Sequence, residues 1–475
     1  MTPGTAPIGT GVTPGRSAGV MSEVADILAD MEPDPLTPAP QTSDDRCPGA
    51  LRLHEAADGL LARVRVPGGL LTADQVVALS DAARTLGDGM LSITARGNVE
   101  IRGLHGDDVA GRLSRLLAAE GLLPSMSHER VRNIVAGPAA GLDGRGFGSL
   151  VEAVSRLDRA LCSTPRTADL SGRFLFGLDD GRGDVLPLQP DLLARWISPT
   201  HAELHVGRTP VVRLPAEQVP EALVAAAVAF LDARDAAGES GWRIADLGHP
   251  EAVADAIATA VTERFAEAHR IDEPEPQTGT DLPHPGPIGD DAVNLVLRLG
   301  RAPAATWMAL ASRARAGDGL VRTTPARSIV LAGLSADVRA HLLTDASALG
   351  LIADPADPAY GVTACTGLPG CDSARADVRA DVVADLAEID AHAAAGGESS
   401  EDRLPVHVSG CERRCGHPRH THHEAVARPR DPERDAADES AYATAVVHGS
   451  SAAGAPLPDG HDPLAALLSA RHEPA

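Results

Sequence analysis

The chain has 475 residues, enough for roughly two to four domains and for a large buried core. Its 66 acidic residues outnumber its 42 basic residues, and the net charge of −24 argues against non-specific binding to nucleic acid or to an anionic membrane. No residue is a lysine, which excludes any mechanism that needs one and leaves arginine as the permanent cation for anionic ligands.

The N-terminal region shows no basic segment followed by an apolar run, so we expect a cytoplasmic protein without a secretory signal. The most apolar stretch, residues 222–231, is flanked by Glu221 and Asp232 and is too short to span a bilayer. It predicts a buried helix.

Two segments rich in Pro, Gly and acidic residues divide the chain. Residues 1–45 lack a sustained apolar period and predict a disordered extension, within which Met21 is an alternative start. Residues 266–290 contain repeated prolines and predict an interdomain linker. The rest of the chain falls into two folded halves.

The two halves resemble each other when the first is aligned with the second at a shift of about 230 residues. Gly87, Asp88 and Gly89 fall on Gly317, Asp318 and Gly319, and other matches join Thr94 to Thr324 and Gly103 to Gly333. Sparse identity leaves chance similarity as the alternative, but the matches share a strand–helix–strand pattern. We predict an internal duplication.

The first copy begins with an alternating strand over residues 61–66, in which Arg63 and Arg65 project from the face opposite the apolar residues. Thr72 and Gln75 form a capping box for a helix that ends at Gly87. A second strand, residues 98–102, follows Arg96. Later helical patterns over residues 222–231 and 250–265 predict an α/β region.

Four of the six cysteines lie in two close pairs, Cys365 with Cys371 and Cys411 with Cys415. Four thiolates suit an iron–sulfur cluster, in which each iron needs one cysteine. A structural zinc site and disulfides are the alternatives, but the first pair is widely spaced for zinc and the expected cytoplasm disfavours disulfides. Asp372 or Ser373 is the predicted cap of a helix that would place Cys371 at its N-terminus.

Several short motifs together resemble the nitrite and sulfite reductase superfamily and, within it, the precorrin-3B synthase branch. They occupy residues 47–49, 65–69, 94–98, 132–133, 324–327, 365–371 and 408–415. The resemblance implies an α+β fold, with duplicated ferredoxin-like half-domains and two α/β nitrite/sulfite-reductase-type domains related by pseudo-twofold symmetry. The implied half-domains are residues 46–118 and 291–350, and the implied α/β domains are residues 119–265, without a cluster, and residues 351–475, with a 4Fe-4S cluster.

The superfamily binds tetrapyrroles that carry many carboxylates, which arginine forks recognise. The resemblance implies that six arginines bind these carboxylates: Arg63, Arg65, Arg96, Arg132, Arg173 and Arg327. Arg322 is a less certain seventh candidate in the second copy. An ordinary surface or strand-edge arginine is the alternative for each of them.

Sirohaem-dependent reductases of this superfamily place two lysines, one residue apart, over the active face. The matching segment here is Arg173-Phe174-Leu175, in which Leu175 can neither donate a proton nor attract an anion. This departure favours precorrin-3B synthase activity in cobalamin biosynthesis, a dioxygen-dependent hydroxylation and lactone formation on precorrin-3A. A sirohaem-dependent sulfite or nitrite reductase is the alternative, and a non-catalytic tetrapyrrole carrier is a third hypothesis.

The resemblance also implies a second, non-haem iron, and His417 is the best candidate ligand in a tract that includes His420, His422 and His423. A solvated loop is the alternative for this tract. No dinucleotide-binding glycine motif lies between a predicted strand and a predicted helix. We therefore expect electrons from a separate ferredoxin or NAD(P)H-dependent reductase.

Overall fold

The computed structural model describes residues 48–273, 277–393, 403–418, 420–429 and 442–447, together with Leu464, Leu467 and Leu468. The predicted N-terminal extension and Cys47 lie outside these residues. The model has four sheets and a mixed α+β fold, as predicted.

The first ferredoxin-like half-domain is built from strands β1 to β5 and helices α1 and α2. These are β1 His54–Ala56, β2 Gly59–Val64, β3 Leu70–Thr72, α1 Ala73–Leu86, β4 Met90–Ile93, β5 Val99–Leu104 and α2 Val109–Ala119. The predicted capping box is confirmed, since Thr72 Oγ1 accepts the Gln75 N–H and Gln75 Oε1 accepts the Thr72 N–H. Helix α1 ends before Gly87, as its sequence predicts.

The first α/β domain has a six-stranded sheet in the order β11-β10-β9-β8-β7-β6. Its elements are β6 Ile134–Ala136, α3 Val151–Cys162, β7 Phe176–Asp179, β8 Leu192–Trp196, β9 His201–Val206, β10 Thr209–Pro215, α4 Val219–Ala236, α5 Pro250–Arg264 and β11 His269–Arg270. Strands β6, β7 and β8 are parallel. The predicted buried helix is confirmed within α4, where most residues from Ala222 to Leu231 are buried. Among the described residues, none of the helices combines the length and hydropathy needed to cross a bilayer.

The second half-domain repeats the pattern of the first. It contains β12 Gly286–Ile288, β13 Ala292–Leu297, β14 Arg301–Pro303, α6 Ala304–Arg315, β15 Leu320–Thr323, β16 Ser328–Leu331, α7 Ala336–Asp345 and β17 Leu351–Ile352. The segment predicted as a linker therefore contributes two short strands, β11 at its beginning and β12 at its end.

The cysteine-bearing domain has a four-stranded sheet in the order β18-β19-β20-β21. Its elements are β18 Val362–Ala364, α8 Val378–Ala393, β19 Val406–Ser409, β20 His422–Ala427 and β21 Tyr442–Val447. Strands β18, β19 and β20 are parallel, so the loops that follow them begin at one edge of the sheet.

Equivalent hydrogen bonds confirm the duplication of the half-domains. The Thr94 N–H donates to the Asn98 carbonyl at 2.8 Å, and the Thr324 N–H donates to the Ser328 carbonyl at 2.9 Å. Each pair repeats after 230 positions, because 324 − 94 and 328 − 98 both equal 230. A chance similarity would not reproduce the same turn.

The two half-domains exchange strands, which the sequence pattern does not predict. Strand β3 of the first copy pairs with β15 of the second, and β14 of the second pairs with β4 of the first. Helices α1 and α6 contribute to one continuous hydrophobic core beneath both sheets. The exchange is reciprocal, so the two copies are related by a pseudo-twofold axis.

Candidate functional site

The sheet β1-β2-β5-β4-β14 carries charged residues on the face that points away from the hydrophobic core. Arg63 donates to Glu100 at 3.0 Å across the β2–β5 pair. Glu100 also lies 3.7 Å from the guanidinium of Arg102. A row of charges therefore follows the middle of this sheet, which we call the charged face.

The equivalent face of the second sheet is buried and carries fewer charges, with Arg322 and Asn294 opposite Val330. Val330 and Ala332 occupy the positions that correspond to Glu100 and Arg102 under the 230-residue shift. Both are buried in a small hydrophobic cluster with Ala139 and Ile288. Of the two symmetry-related faces, the first has the charges to bind a polar ligand and the second is closed by packing.

Two predicted arginines meet beside the charged face at the carbonyl oxygen of Gly172. Arg65 Nη2 and Arg96 Nη1 each lie 3.4 Å from that oxygen, and Arg65 Nε also donates to the Arg130 carbonyl at 3.0 Å. The next residue, Arg173, is exposed and stacks over the Trp242 ring at 4.2 Å. Arg65, Arg96 and Arg173, all predicted to bind carboxylates, therefore meet at the loop that contains Gly172. Arg63 lies nearby on β2.

Arg132 lies elsewhere and has a structural role in this fold. It makes a forked ion pair with Asp158, with both N···O distances at 2.7 Å, and donates to the Leu122 carbonyl at 3.0 Å. The arginine is 4% exposed. All three nitrogens of the guanidinium already bond to protein groups, so Arg132 stabilises the fold in this structure and has no nitrogen left without a protein partner.

Leu175, at the position of the second reductase lysine, points into protein. It is 2% exposed and packs in a hydrophobic cluster with Val135, Val185 and Leu193. A side chain at this position cannot reach a ligand on the charged face without disrupting that cluster.

Arg102 connects the charged face to the first cysteine loop, a contact that the sequence analysis missed. It makes a forked pair with Asp58, at 3.0 and 2.9 Å, and donates to the Gly370 carbonyl at 2.7 Å. Gly370 lies directly before Cys371. Residues 98–102 were predicted as a strand, but nothing in the sequence indicated that Arg102 has a partner 268 residues away.

The four cysteines of the two pairs follow neighbouring parallel strands. Ala364 pairs with Val408 in register, so Cys365 leaves β18 at the level where β19 approaches Cys411. The Gly410 N–H donates to Cys365 Sγ at 3.2 Å. The predicted helix N-terminus at Cys371 is wrong, because α8 begins at Val378 and Cys371 lies in the loop before it. A loop amide, not the end of the helix, stabilises the sulfur of Cys365.

The thiols converge on one another. Burial raises the pKa of the Cys415 thiol, and the neighbouring thiols of Cys365, Cys411 and Cys371 raise it further. Thiolates this close together repel one another, and a positively charged metal group among the sulfurs would relieve that repulsion. Among the described residues, no three His, Cys, Asp or Glu side chains are placed to hold a single metal ion. Four neighbouring thiols suit a cubane cluster, which binds each cysteine to a different iron.

Two further arginines border the cysteine loops. Arg379 Nε donates to the Cys365 carbonyl at 3.1 Å. Arg327 adopts a left-handed conformation, with φ of 59°, and packs against Gly300 and against Gly416, which follows Cys415. The turn that carries Arg327 contacts the turn that carries Arg96, because the Thr323 hydroxyl donates to the Gly97 carbonyl at 2.6 Å. Arg322 is paired with Asp318 in its own half-domain.

The histidines after the last cysteine do not form a metal centre in the described part of the chain. His417 is exposed, and its Nδ1 lies 2.8 Å from the Arg414 carbonyl oxygen. Its ring stacks on His422 with centroids 6.2 Å apart. The described residues therefore do not fit a mononuclear iron, and the second iron stays a prediction without assigned ligands.

Comparisons with known proteins agree with this architecture. Residues 52–119 match the family model described as the nitrite/sulfite reductase ferredoxin-like half domain. The chain is 26% identical over 391 residues to a precorrin-3B synthase of Sinorhizobium sp., a match that covers 81% of this chain and 80% of that protein. It is 25% identical over 394 residues to a ferredoxin–nitrite reductase of Synechococcus elongatus, covering 75% and 74% of the two chains.

The same fold is found in the solved structure of the NirA protein of Mycobacterium tuberculosis. The two structures superpose with a TM-score of 0.68 over 97% of this chain and 93% of that one, at 19% sequence identity. The similar proteins that these comparisons identify are redox enzymes with two different activities. Over most of its length the chain is similar to proteins of the nitrite and sulfite reductase superfamily, and residues 52–119 match the half-domain model of that superfamily.

Proposed function

We propose that this protein is a precorrin-3B synthase. The observation that carries the proposal is the buried Leu175, which removes the second cation expected of a sirohaem-dependent reductase while the carboxylate-binding arginines remain. The 26% identity to the Sinorhizobium protein over most of both chains supports the same choice.

The proposed reaction is the hydroxylation of the meso carbon between rings A and D of precorrin-3A, with closure of a lactone by the ring-A acetate. One atom of dioxygen enters the product, and the other leaves as water after two electrons and two protons are supplied. Those electrons come from a separate ferredoxin or NAD(P)H-dependent reductase in this proposal. The cytoplasmic location expected from the sequence stays a prediction.

The proposed roles of the arginines follow from their placement. Arg65, directly after β2, and Arg96, in the turn between β4 and β5, both approach the Gly172 carbonyl. Arg65 is 3% exposed and bonded to backbone carbonyls, so it positions this loop, and the partly exposed Arg96 is the more accessible cation. Each guanidinium has five N–H donors, and a carboxylate accepts two of them in a fork. Arg63 and Arg173 lie beside this pair and extend the site along the face. The carboxylate roles of Arg132, which is paired with Asp158, and of Arg327 stay predictions.

Four cysteines would hold the 4Fe-4S cluster of the proposed enzyme: Cys365, Cys371, Cys411 and Cys415. When bound, such a cluster supplies electrons one at a time. The chain's own residues orient the loops, through the Gly410 amide at the Cys365 sulfur and through Arg102 at the Gly370 carbonyl.

The first experiment is a visible spectrum with iron, sulfide and haem analysis of protein purified without oxygen from cells that make sirohaem. We expect the broad absorbance of a 4Fe-4S cluster, iron in excess of that cluster and no sirohaem band. Conversion of precorrin-3A by this protein with dioxygen and a reductant would then establish the activity. Binding without conversion would favour a tetrapyrrole carrier.

A sirohaem-dependent nitrite or sulfite reductase is the second candidate. The identity of 25% to the Synechococcus nitrite reductase favours it, and Arg173 could replace one of the two lysines. Stoichiometric sirohaem in the purified protein, with reduction of nitrite or sulfite, would replace the synthase proposal with this one.

The cysteine assignment has its own test. Replacing Cys411 by serine should abolish the cluster absorbance, because a serine hydroxyl is a poor substitute for a thiolate ligand of iron. Replacing Cys162 by serine is the control, since this cysteine belongs to helix α3 of the first α/β domain. Iron and sulfide at the wild-type level in Cys411→Ser would contradict the assignment.

The arginine assignment is tested with Arg96→Ala. We expect tetrapyrrole binding to weaken about tenfold or more, as for the loss of a hydrogen bond to a charged group. Iron and sulfide content should stay unchanged. Arg84→Ala, which removes an exposed ion pair with Asp81 on α1, is the matched control. Equal binding by Arg96→Ala and Arg84→Ala would remove Arg96 from the site.

A further inference from the structure

Arg379 is a half-buried cation that has no carboxylate partner within the described residues. Its Nε donates to the Cys365 carbonyl, and no Asp or Glu oxygen described here lies within ion-pair distance. Burial and the positive charges of Arg301 and Arg102 together lower the pKa of Arg379 to about 10, against the smaller opposing charges of Glu100 and Cys365. The fold thus holds several guanidinium groups near one another beside the first cysteine loop.

Arg327 is a second cation of this kind, beside the other cysteine loop. Its Nη2 lies 3.4 Å from the position that a Cβ on Gly416 would take, and burial lowers its pKa. No carboxylate of the described chain is paired with it. Its left-handed backbone is unfavourable for a side chain by about 1 kcal/mol, and the equivalent residue of the first copy is Gly97, with φ of 73°. The second copy therefore has an arginine in a backbone conformation that favours glycine.

A buried cation is stable only when a negative charge compensates it. The groups that these two arginines share are the cysteine loops, since Arg379 contacts Cys365 itself and Arg327 contacts the residue after Cys415. Four thiolates give a cubane cluster a net negative charge. Electrostatics therefore identifies the cluster as the missing partner of both arginines.

We propose that Arg379 and Arg327 are the charge partners of the cluster and raise its reduction potential, an inference that rests on the proposed cluster. Reduction by the external donor adds one electron, and hence one negative charge, to the cluster while the donor is oxidised. A nearby cation stabilises the more negative form more strongly, so the reduced state is favoured. Both arginines act through the cluster as positioning and charge-compensating residues.

The test is an anaerobic redox titration of the purified holoprotein, followed by electron paramagnetic resonance of the reduced cluster. Two variants remove the charge, Arg379→Gln and Arg327→Gly, and the second restores the residue type that the first copy has at this turn. Each should lower the ratio of reduced to oxidised cluster at a fixed potential by about tenfold, a shift of about 59 mV for a one-electron couple. Arg379→Lys keeps the charge and should shift the potential much less.

Arg156→Gln is the control, because Arg156 is a partly exposed arginine paired with Glu221 in the domain without the cysteine pairs. Unchanged potentials in both neutral variants would overturn the inference, and so would an equal shift in Arg379→Lys and Arg379→Gln. Loss of the cluster in Arg379→Gln with retention in Arg379→Lys would support it. Wild-type protein that contains no iron or sulfide would instead refute the proposed cofactor, so the two failures are distinguishable.

Discussion

The loop after β7 buries the carboxyl group of Asp184 and raises its pKa. Neighbouring Asp179 accepts hydrogen bonds from the backbone N–H groups of Gly181, Gly183 and Val185. Neither oxygen of Asp184 has a hydrogen-bond partner among the described residues, and the residue is 1% exposed. Burial and the negative charges of Asp179 and Asp180 together raise the pKa of Asp184 to about 7, although Arg182, 3.9 Å away, opposes the shift.

This raised pKa gives stability a definite pH dependence. Between the ordinary pKa of an aspartate and about 7, the folded protein retains a proton that the unfolded chain releases, so the free energy of unfolding falls as pH rises through that window. Asp184→Asn removes the ionisable group. We expect it to stabilise the protein by about 1–3 kcal/mol at pH 8 and to change little at pH 5.

Thermal unfolding at the two pH values checks this prediction. Asp179→Asn is the matched control, because it weakens bonds to three backbone N–H groups and should destabilise the protein at pH 8. A loss of stability in Asp184→Asn at pH 8 as large as in Asp179→Asn would show that Asp184 is not a buried neutral acid.

Individual arginines also mark how far the sequence predicts the site. The motifs grouped Arg65 with Arg96 as expected carboxylate-binding residues, and in the structure both approach the Gly172 carbonyl. They could not show that Asp158 and the Leu122 carbonyl engage Arg132, nor that Arg379 contacts a cysteine carbonyl. Ion-pair partners distant in sequence depend on how the domains pack.

The strand exchange depends, at the scale of elements, on a close approach at Gly69. This residue has φ of 74°, and a Cβ there would overlap the carbonyl oxygen of Thr323 at the end of β15. Gly69→Ala should therefore separate β3 from β15 and lower the free energy of unfolding by more than about 2 kcal/mol. Denaturant unfolding measures the loss.

Gly144→Ala separates the steric effect from the backbone effect. Gly144 has a similar φ of 71°, but a Cβ there meets nothing within 4 Å. Its replacement should cost only the left-handed conformation, about 1 kcal/mol. Equal losses in the two variants would mean that the contact with Thr323 does not constrain the exchange.

The start of helix α1 depends on local contacts, whereas the start of helix α8 depends on contacts between distant parts of the chain. The capping box of α1 was predictable because Thr72 and Gln75 are three residues apart and satisfy each other's backbone groups. The start predicted for α8 was wrong because the chain after Cys371 follows loop contacts, including the Arg375 N–H with the Gly410 carbonyl at 2.9 Å. A cap residue alone does not decide where a helix begins when tertiary contacts hold the preceding loop.

Arg102 joins two domains at the scale of the whole molecule. Through Asp58 and the Gly370 carbonyl, it ties the first half-domain to the loop that bears Cys371. Arg102→Ala should accelerate loss of the cluster roughly tenfold, the factor that corresponds to a charge-assisted hydrogen bond of about 1.5 kcal/mol. The decay of the cluster absorbance in air provides the measurement.

Arg115→Ala is the control for this prediction, because it removes an exposed ion pair with Asp108 in the same half-domain. Arg102→Lys should fall between the wild type and Arg102→Ala, since a lysine retains the charge but not the fork. Wild-type decay in Arg102→Ala would show that the contact between domains does not hold the loop.

Periodicity, local capping and short motifs were enough to predict the duplicated half-domains, the principal helices and the four cysteines of the two pairs. Which of the two symmetry-related faces keeps its charges, and which arginines are already paired, depends on how the domains pack. The exchange of β3 and β14 between the sheets depends on the same packing. These features depend on contacts between residues far apart in the chain, such as Arg102 with Gly370, and no local pattern specifies which distant group will compensate a buried charge.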